Sequence, residues 1–135
     1  MADDCIFCKI VAGELPATKI HEDERTLAFM DINPWTRGHA LVIPKAHSAD
    51  LGEIGGDDLA AVVVVAQDIA RRAKERLGAE GVNLLNAFGA AAWQTVFHFH
   101  MHVIPRYADD GMQVPARPGA GGGEDEIRAA GEALR

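Results

Sequence analysis

The chain has 135 residues, of which 48% are hydrophobic and 24% charged, and a net charge of −7. That length suits one domain with a real core. The acidic balance argues against a broad nucleic-acid surface but leaves room for a small phosphate-bearing ligand, which needs only a few local donors. The longest apolar run, 59–66, is too short to span a bilayer. The acidic start Met1-Ala2-Asp3-Asp4 lacks the basic and apolar parts of a secretory signal, so a cytoplasmic protein is expected.

Cys5 to Ala12 reads as a short helical turn, stopped by Gly13 and Pro16. It holds both cysteines of the chain, Cys5 and Cys8, spaced C-x-x-C. A structural disulfide is not expected in a reducing compartment. A redox pair usually opens a helix after a strand, and too little chain precedes Cys5 for that. Half of a metal site and two small residues remain open readings. Thr18 to His21 and Thr26 to Asp31 read as strands joined by the polar turn Glu22-Asp23-Glu24-Arg25. Asn33-Pro34-Trp35-Thr36-Arg37-Gly38 is a loop, and His39 to Pro44 is an apolar strand closed by proline.

Asp57 to Leu77 is the best helix: Leu59, Val62, Val63, Ala66, Ile69, Ala70, Ala73 and Leu77 recur at the spacing of one face. Asp57 or Asp58 is the expected cap, and Gly78 the expected left-handed stop. Val82 to Ala87 is a further strand, and Phe88 to Trp93 a loop of mostly small residues. Gln94 to Pro105 is rich in aromatic and β-branched residues and reads as one strand. Its alternation puts His98, His100 and His102 on one face, about 7 Å apart per step. Phe97, Phe99, Met101 and Val103 then point into a core. Pro115, Pro118 and Gly119 to Gly123 form a flexible tether to a short terminal helix, Glu124 to Arg135. The order of elements predicts an antiparallel α+β domain over 1–110 and a tail over 111–135.

Three imidazoles on one strand face suit nucleophilic chemistry, proton transfer or metal binding near neutral pH. A single metal held by His98, His100 and His102 is disfavoured, because side chains spaced along a strand do not readily converge on one ion.

The run His98-Phe99-His100-Met101-His102-Val103-Ile104, preceded by Gln94-Thr95-Val96, resembles the signature of the histidine-triad (HIT) family of nucleotide hydrolases and transferases. The likeness extends to Cys5-Ile6-Phe7-Cys8-Lys9-Ile10, to Gly13-Glu14-Leu15-Pro16 and to Phe29-Met30-Asp31-Ile32-Asn33-Pro34. It continues in Gly38-His39-Ala40-Leu41-Val42-Ile43-Pro44-Lys45-Ala46-His47 and covers roughly residues 5 to 107. The chain is most like the small bacterial Hint-like proteins. The resemblance implies an α+β fold with an antiparallel sheet of about five strands, one long helix and a short N-terminal helix. It implies a hydrolase of purine nucleoside phosphoramidates or related nucleotides, with His100 attacking the α-phosphorus and forming a covalent nucleotidyl-histidine. His102 and His39 are then its catalytic neighbours. Phe7, Ile32 and Leu41 hold the base, Asp31 the ribose hydroxyls, and Asn86, Gln94 and Thr95 the phosphate end.

The resemblance also implies a structural zinc on Cys5, Cys8, His47 and His98, a donor set suited to tetrahedral zinc. It further implies a homodimer joined through the long helix and the strand after it, with the segment from Arg117 crossing to the partner subunit. The stretch Asn86 to Gln94 is one residue longer than the usual Hint-like pattern. It reads Phe88-Gly89-Ala90-Ala91-Ala92-Trp93 where a polar glycine-rich loop is usual. Hydrolysis of dinucleotide polyphosphates, or nucleotide binding with vestigial catalysis, are the alternative functions. Neither a membrane nor a broad nucleic-acid partner is expected.

Overall fold

Five short segments pair into one antiparallel sheet in a computed structural model that describes residues 4–113 and 118–135. Pro115 and Arg117, assigned above to the tether and the crossing segment, lie outside the described residues, as do Met1, Ala2 and Asp3. The chain runs α1 (Ile6–Val11), β1 (Lys19–Glu22), β2 (Thr26–Met30), β3 (Ala40–Pro44), α2 (Gly56–Leu77), β4 (Gly81–Leu85), β5 (Met101–Arg106) and α3 (Glu124–Leu134). The strand order is β1-β2-β3-β5-β4. Every neighbouring pair is antiparallel. The α+β architecture expected from the sequence is the one observed.

The central strands are buried on both faces, so they carry continuous apolar runs. Ala28, Ala40, Val42, Phe99 and Val103 pack against Val62, Val65, Ala66 and Ile69 of α2. On the opposite face Leu27, Phe29, Leu41 and Ile43 pack against Phe7 and Ile10 of α1. The short α1 covers only part of that face, and the uncovered part is the floor of the site.

Four expectations shift. The helix α2 starts from Gly55 with no side-chain cap, while Asp57 and Asp58 fall in its first turn, where their charge still suits the dipole. Its C-cap is Gly78 at φ 70°, as expected. Val63 and Val64 point outward, 41% and 64% exposed, and Val65 takes the core position. Phe97, expected inside, is half exposed, whereas Phe99 is fully buried.

The fourth shift bears on the site. The expected strand 94–105 begins only at Met101. The ladder between β3 and β5 ends at Val42 opposite Met101. Beyond it, side chains take over the backbone groups. His98 Nε2 donates to the Pro44 carbonyl at 2.8 Å, and Asn86 Nδ2 donates to the His100 carbonyl at 3.0 Å. Phe99 N–H turns instead to the Ser48 carbonyl at 2.7 Å. The chain from 94 to 100 is therefore an irregular segment held by these bonds rather than a strand.

All residues of α3 are exposed. Among the described residues no helix is long and apolar enough to cross a membrane.

Candidate active site and metal-ligand cluster

The registers place Phe29 opposite Leu41, Leu41 opposite His102 and His102 opposite Leu85. Phe29, Leu41 and His102 of this cross-strand row floor a cavity of about 350 Å³. Phe7, Ile6 and Ile10 of α1 form one wall, with Leu15 and Pro16 beyond them. Asp31, Ile32 and Asn33 form another, and Thr95, Val96, His100 and His102 close the polar end. An apolar slot that ends in two imidazoles, a carboxylate and a hydroxyl fits a flat hydrophobic group carrying a polar tail.

Backbone partners fix the tautomers. His100 Nδ1 lies 2.8 Å from the His98 carbonyl, which can only accept. Nδ1 therefore carries the proton, and the Nε2 lone pair is left open. Behind His102 the chain of bonds starts from Trp35, whose backbone N–H donates to His39 Nδ1 at 3.0 Å. His39 is then protonated at Nε2, which meets His102 Nδ1 at 2.8 Å. A carboxylate oxygen of Asp31, 3.6 Å from the same His39 nitrogen, favours that proton position. His102 accepts on Nδ1, so its own proton sits on Nε2. One imidazole at the cavity thus offers a lone pair, and its neighbour, with ring centroids 5.0 Å apart, offers a donor.

Burial lowers all three pKa values by disfavouring the hydrated cation: His39 and His100 fall, and His102 drops from an ordinary 6.5 to about 4. These rings are neutral at neutral pH. An open lone pair on a neutral imidazole is a nucleophile.

His98 faces elsewhere. Its Nε2 proton goes to the Pro44 carbonyl, so Nδ1 is the open nitrogen. Nδ1 stands 3.5 Å from Cys5 Sγ, 3.5 Å from Cys8 Sγ and 3.2 Å from His47 Nδ1. One ligand atom from each of the four residues lies within 4.8 Å of the others. No disulfide joins the cysteines. Two thiols and two ring nitrogens turned toward one point, one imidazole held from behind by a carbonyl, make a donor set that fits a tetrahedral metal ion. The three triad imidazoles do not share a single ligand cluster, since His98 groups with Cys5, Cys8 and His47.

Of the residues proposed from the sequence, Phe7, Asp31, Ile32, Leu41, Thr95, His100 and His102 all line the cavity. Ile32 stands on the rim, 90% exposed. Three expected site residues sit behind it. His39 is fully buried against His102. Asn86 carries the His100 carbonyl. Gln94 is spent on the backbone: it accepts from Gly89 N–H at 2.8 Å and donates to the Ala49 and Val96 carbonyls at 2.8 and 3.1 Å. Gln94 therefore braces the loop instead of reaching into the cavity, because a buried amide with that many backbone partners has nothing left to offer. Trp35, a loop residue by sequence, is a further neighbour of the site, in contact with His39 and His102. Its only sequence signal is its place between Asp31 and His39.

A family model described as HIT domain matches residues 12–109. This chain belongs to the HIT family. Within it, the chain is 46% identical over 106 residues to Protein hit of Bacillus subtilis, covering 78% of this chain and 73% of that one. It is 41% identical over 110 residues to adenylylsulfatase HINT3 of Arabidopsis thaliana, covering 82% of this chain and 56% of that protein. Among solved structures, a Zn-bound histidine triad family protein from Mycobacterium smegmatis superposes with a TM-score of 0.78 at 45% identity, covering 97% of this chain and 95% of that one. The relatives thus include a protein named as an adenylylsulfatase, and the five-stranded sheet and helices follow the HIT architecture.

Proposed function

We propose that this HIT protein hydrolyses purine nucleoside phosphoramidates or closely related nucleotide derivatives through a covalent nucleotidyl-histidine on His100. One observation carries the reading: His100 lines the cavity with its Nδ1 proton given to the His98 carbonyl, so Nε2 is the nitrogen open to phosphorus. The base lies in the apolar slot between Phe7 and Leu41, with Ile32 at the rim. The Asp31 carboxylate accepts from the ribose hydroxyls, and Thr95 donates to a phosphate oxygen.

Attack by Nε2 forms a P–N bond to the imidazole and breaks the bond from phosphorus to the leaving amine, which takes a proton from solvent. The His98 carbonyl steadies the imidazolium through Nδ1–H, and His102 Nε2–H donates to a non-bridging phosphate oxygen. Water then attacks phosphorus, the P–N bond to His100 breaks, and a nucleoside monophosphate and neutral imidazole remain. A relative named as an adenylylsulfatase supports attack at an adenylyl phosphorus with varied leaving groups.

Intact-mass analysis after rapid mixing with a nucleoside phosphoramidate tests this. A transient nucleotidyl adduct mapped to His100 is expected. A His100→Ala enzyme turning over at the original rate would overturn the proposal.

Two further parts belong to the reading. Zinc on Cys5, Cys8, His47 and His98 would have four protein ligands and no open position, so its work is to tie α1 to the segments after β3 and before β5. Elemental analysis of purified protein checks it. A homodimer through α2 and β4 is supported by the exposed Val63, Val64 and Leu84, which line a shared apolar hollow with Val82 and Ala70. Light scattering of wild type against Val64→Asp checks that. A division into a domain over 1–110 and a tail over 111–135, and a reducing, cytoplasmic setting for the thiol cluster, complete the proposal.

A further inference from the structure

Trp35 lies outside the cavity lining yet touches His102, which lines it, and His39 behind it. Its indole stacks on His102 with ring centroids 5.5 Å apart and planes 13° apart, and its centroid is 5.2 Å from that of His39. Its backbone N–H donates to His39 Nδ1. These contacts constrain two different variables. The N–H forces the His39 proton onto Nε2, which makes His102 Nδ1 an acceptor and leaves the His102 proton on Nε2. The indole restrains the His102 ring, whose second side-chain torsion is intrinsically soft.

The loop carrying Trp35 is itself braced. Tyr107 Oη donates to the Arg37 carbonyl at 2.9 Å, Arg37 Nη1 donates to the Leu77 carbonyl at 3.3 Å, and His39 N–H returns to the Thr36 carbonyl at 3.2 Å. Gly38 takes φ 88°, where a Cβ would run into the Leu77 side chain, so the loop enters β3 tightly. Trp35 is 45% exposed, so one part of its surface is committed to His102 while much of the rest meets solvent.

We infer that Trp35 is a positioning residue: its backbone N–H and its indole together hold His102 as a hydrogen-bond donor toward the cavity. The inference deepens the proposed nucleotide chemistry and rests on it for its consequence in turnover. Its structural half does not.

The test uses full-length protein carrying ¹⁵N-labelled histidine, with ring-nitrogen shifts recorded before any substrate is added. His102 in the wild type is expected in the Nε2–H tautomer. Trp35→Pro removes the N–H and is expected to give a mixture of His102 tautomers. Trp35→Ala keeps the N–H and loses the stack. It is expected to retain the tautomer while kcat falls by on the order of 10- to 100-fold, with KM unchanged. Trp35→Phe restores a stacking ring and most of kcat. Should Trp35→Pro fail to fold, the wild-type shifts and the Ala–Phe pair still decide. The inference is overturned by a wild-type His102 protonated on Nδ1, by Trp35→Ala with undiminished kcat, or by Trp35→Phe no better than Trp35→Ala. Full turnover in His100→Ala would instead sink the nucleotide reading, while the nitrogen shifts would still report what Trp35 does to His102.

Discussion

His98 and His100 stand two residues apart in one buried segment and are used in opposite senses. His98 gives its Nε2 proton to the Pro44 carbonyl and turns Nδ1 to the thiol cluster. His100 gives its Nδ1 proton to the His98 carbonyl and keeps Nε2 open at the cavity. Residue type and burial are nearly the same, but the carbonyl each ring reaches and the groups it faces differ. In a run of like imidazoles, the backbone acceptors decide which ring nitrogen is left open and what it faces.

The largest break in that comparison is His100→Ala. Turnover is expected to fall by on the order of 10³-fold or more, with metal content and thermal midpoint near wild type. Steady-state kinetics beside calorimetry checks it, and loss of metal together with activity would mean the two imidazoles are not separately employed. Cys8→Ala strikes the other region. Bound zinc should fall from about one per chain to near none, and the melting midpoint should drop by roughly 10 °C. The part of the sample still folded should still form the adduct on His100.

A titration sharpens the comparison further. His102 must stay neutral to accept from His39, and its folded value near 4 lies below the ordinary 6.5. The neutral form of His102 therefore persists to about pH 4, and because burial also lowers the pKa of His100, the acid limb of kcat is expected below the ordinary 6.5, set by whichever of the two rings protonates first. For stability the sign follows from the same shift. The unfolded chain binds more protons between pH 6.5 and 4, so the contribution of His102 is complete above that window and is lost as pH falls through it. Melting midpoints that are flat from pH 7 to 4 would contradict a buried neutral ring. The smallest effect is expected at Asn86→Ala, which frees the His100 carbonyl. It should cost about 1 kcal/mol in a urea titration, with little change in zinc content.

Much of this was legible in the residues. Short apolar runs bounded by turn residues located the five strands, the last of them starting later than its alternation suggests, and the spacing along α2 located the long helix with its glycine stop. The triad and the C-x-x-C pair pointed to the imidazoles at the cavity and to the cysteines that cluster with His47 and His98. The failures are instructive. Phe97 alternates like Phe99, yet it turns outward because the ladder stops at Met101. Gln94 looked available to a phosphate and is consumed by Gly89, Ala49 and Val96. Val63 carried the helical period and faces solvent, while its neighbour Val65 is buried. Trp35 read as a loop residue, because nothing local reveals that the chain folds it onto a ring 67 positions away.

Composition and order of residues determined the α+β architecture, the imidazole and thiol inventory and the apolar slot around it, since these follow from side-chain chemistry and from short periods along the chain. Which nitrogen of each ring holds its proton was decided only on folding. A tautomer answers to the nearest donor or acceptor, and here the Pro44 carbonyl and the His39 ring reach their partners across dozens of intervening residues, while the Trp35 amide reaches His39 only through the turn that the folded loop makes.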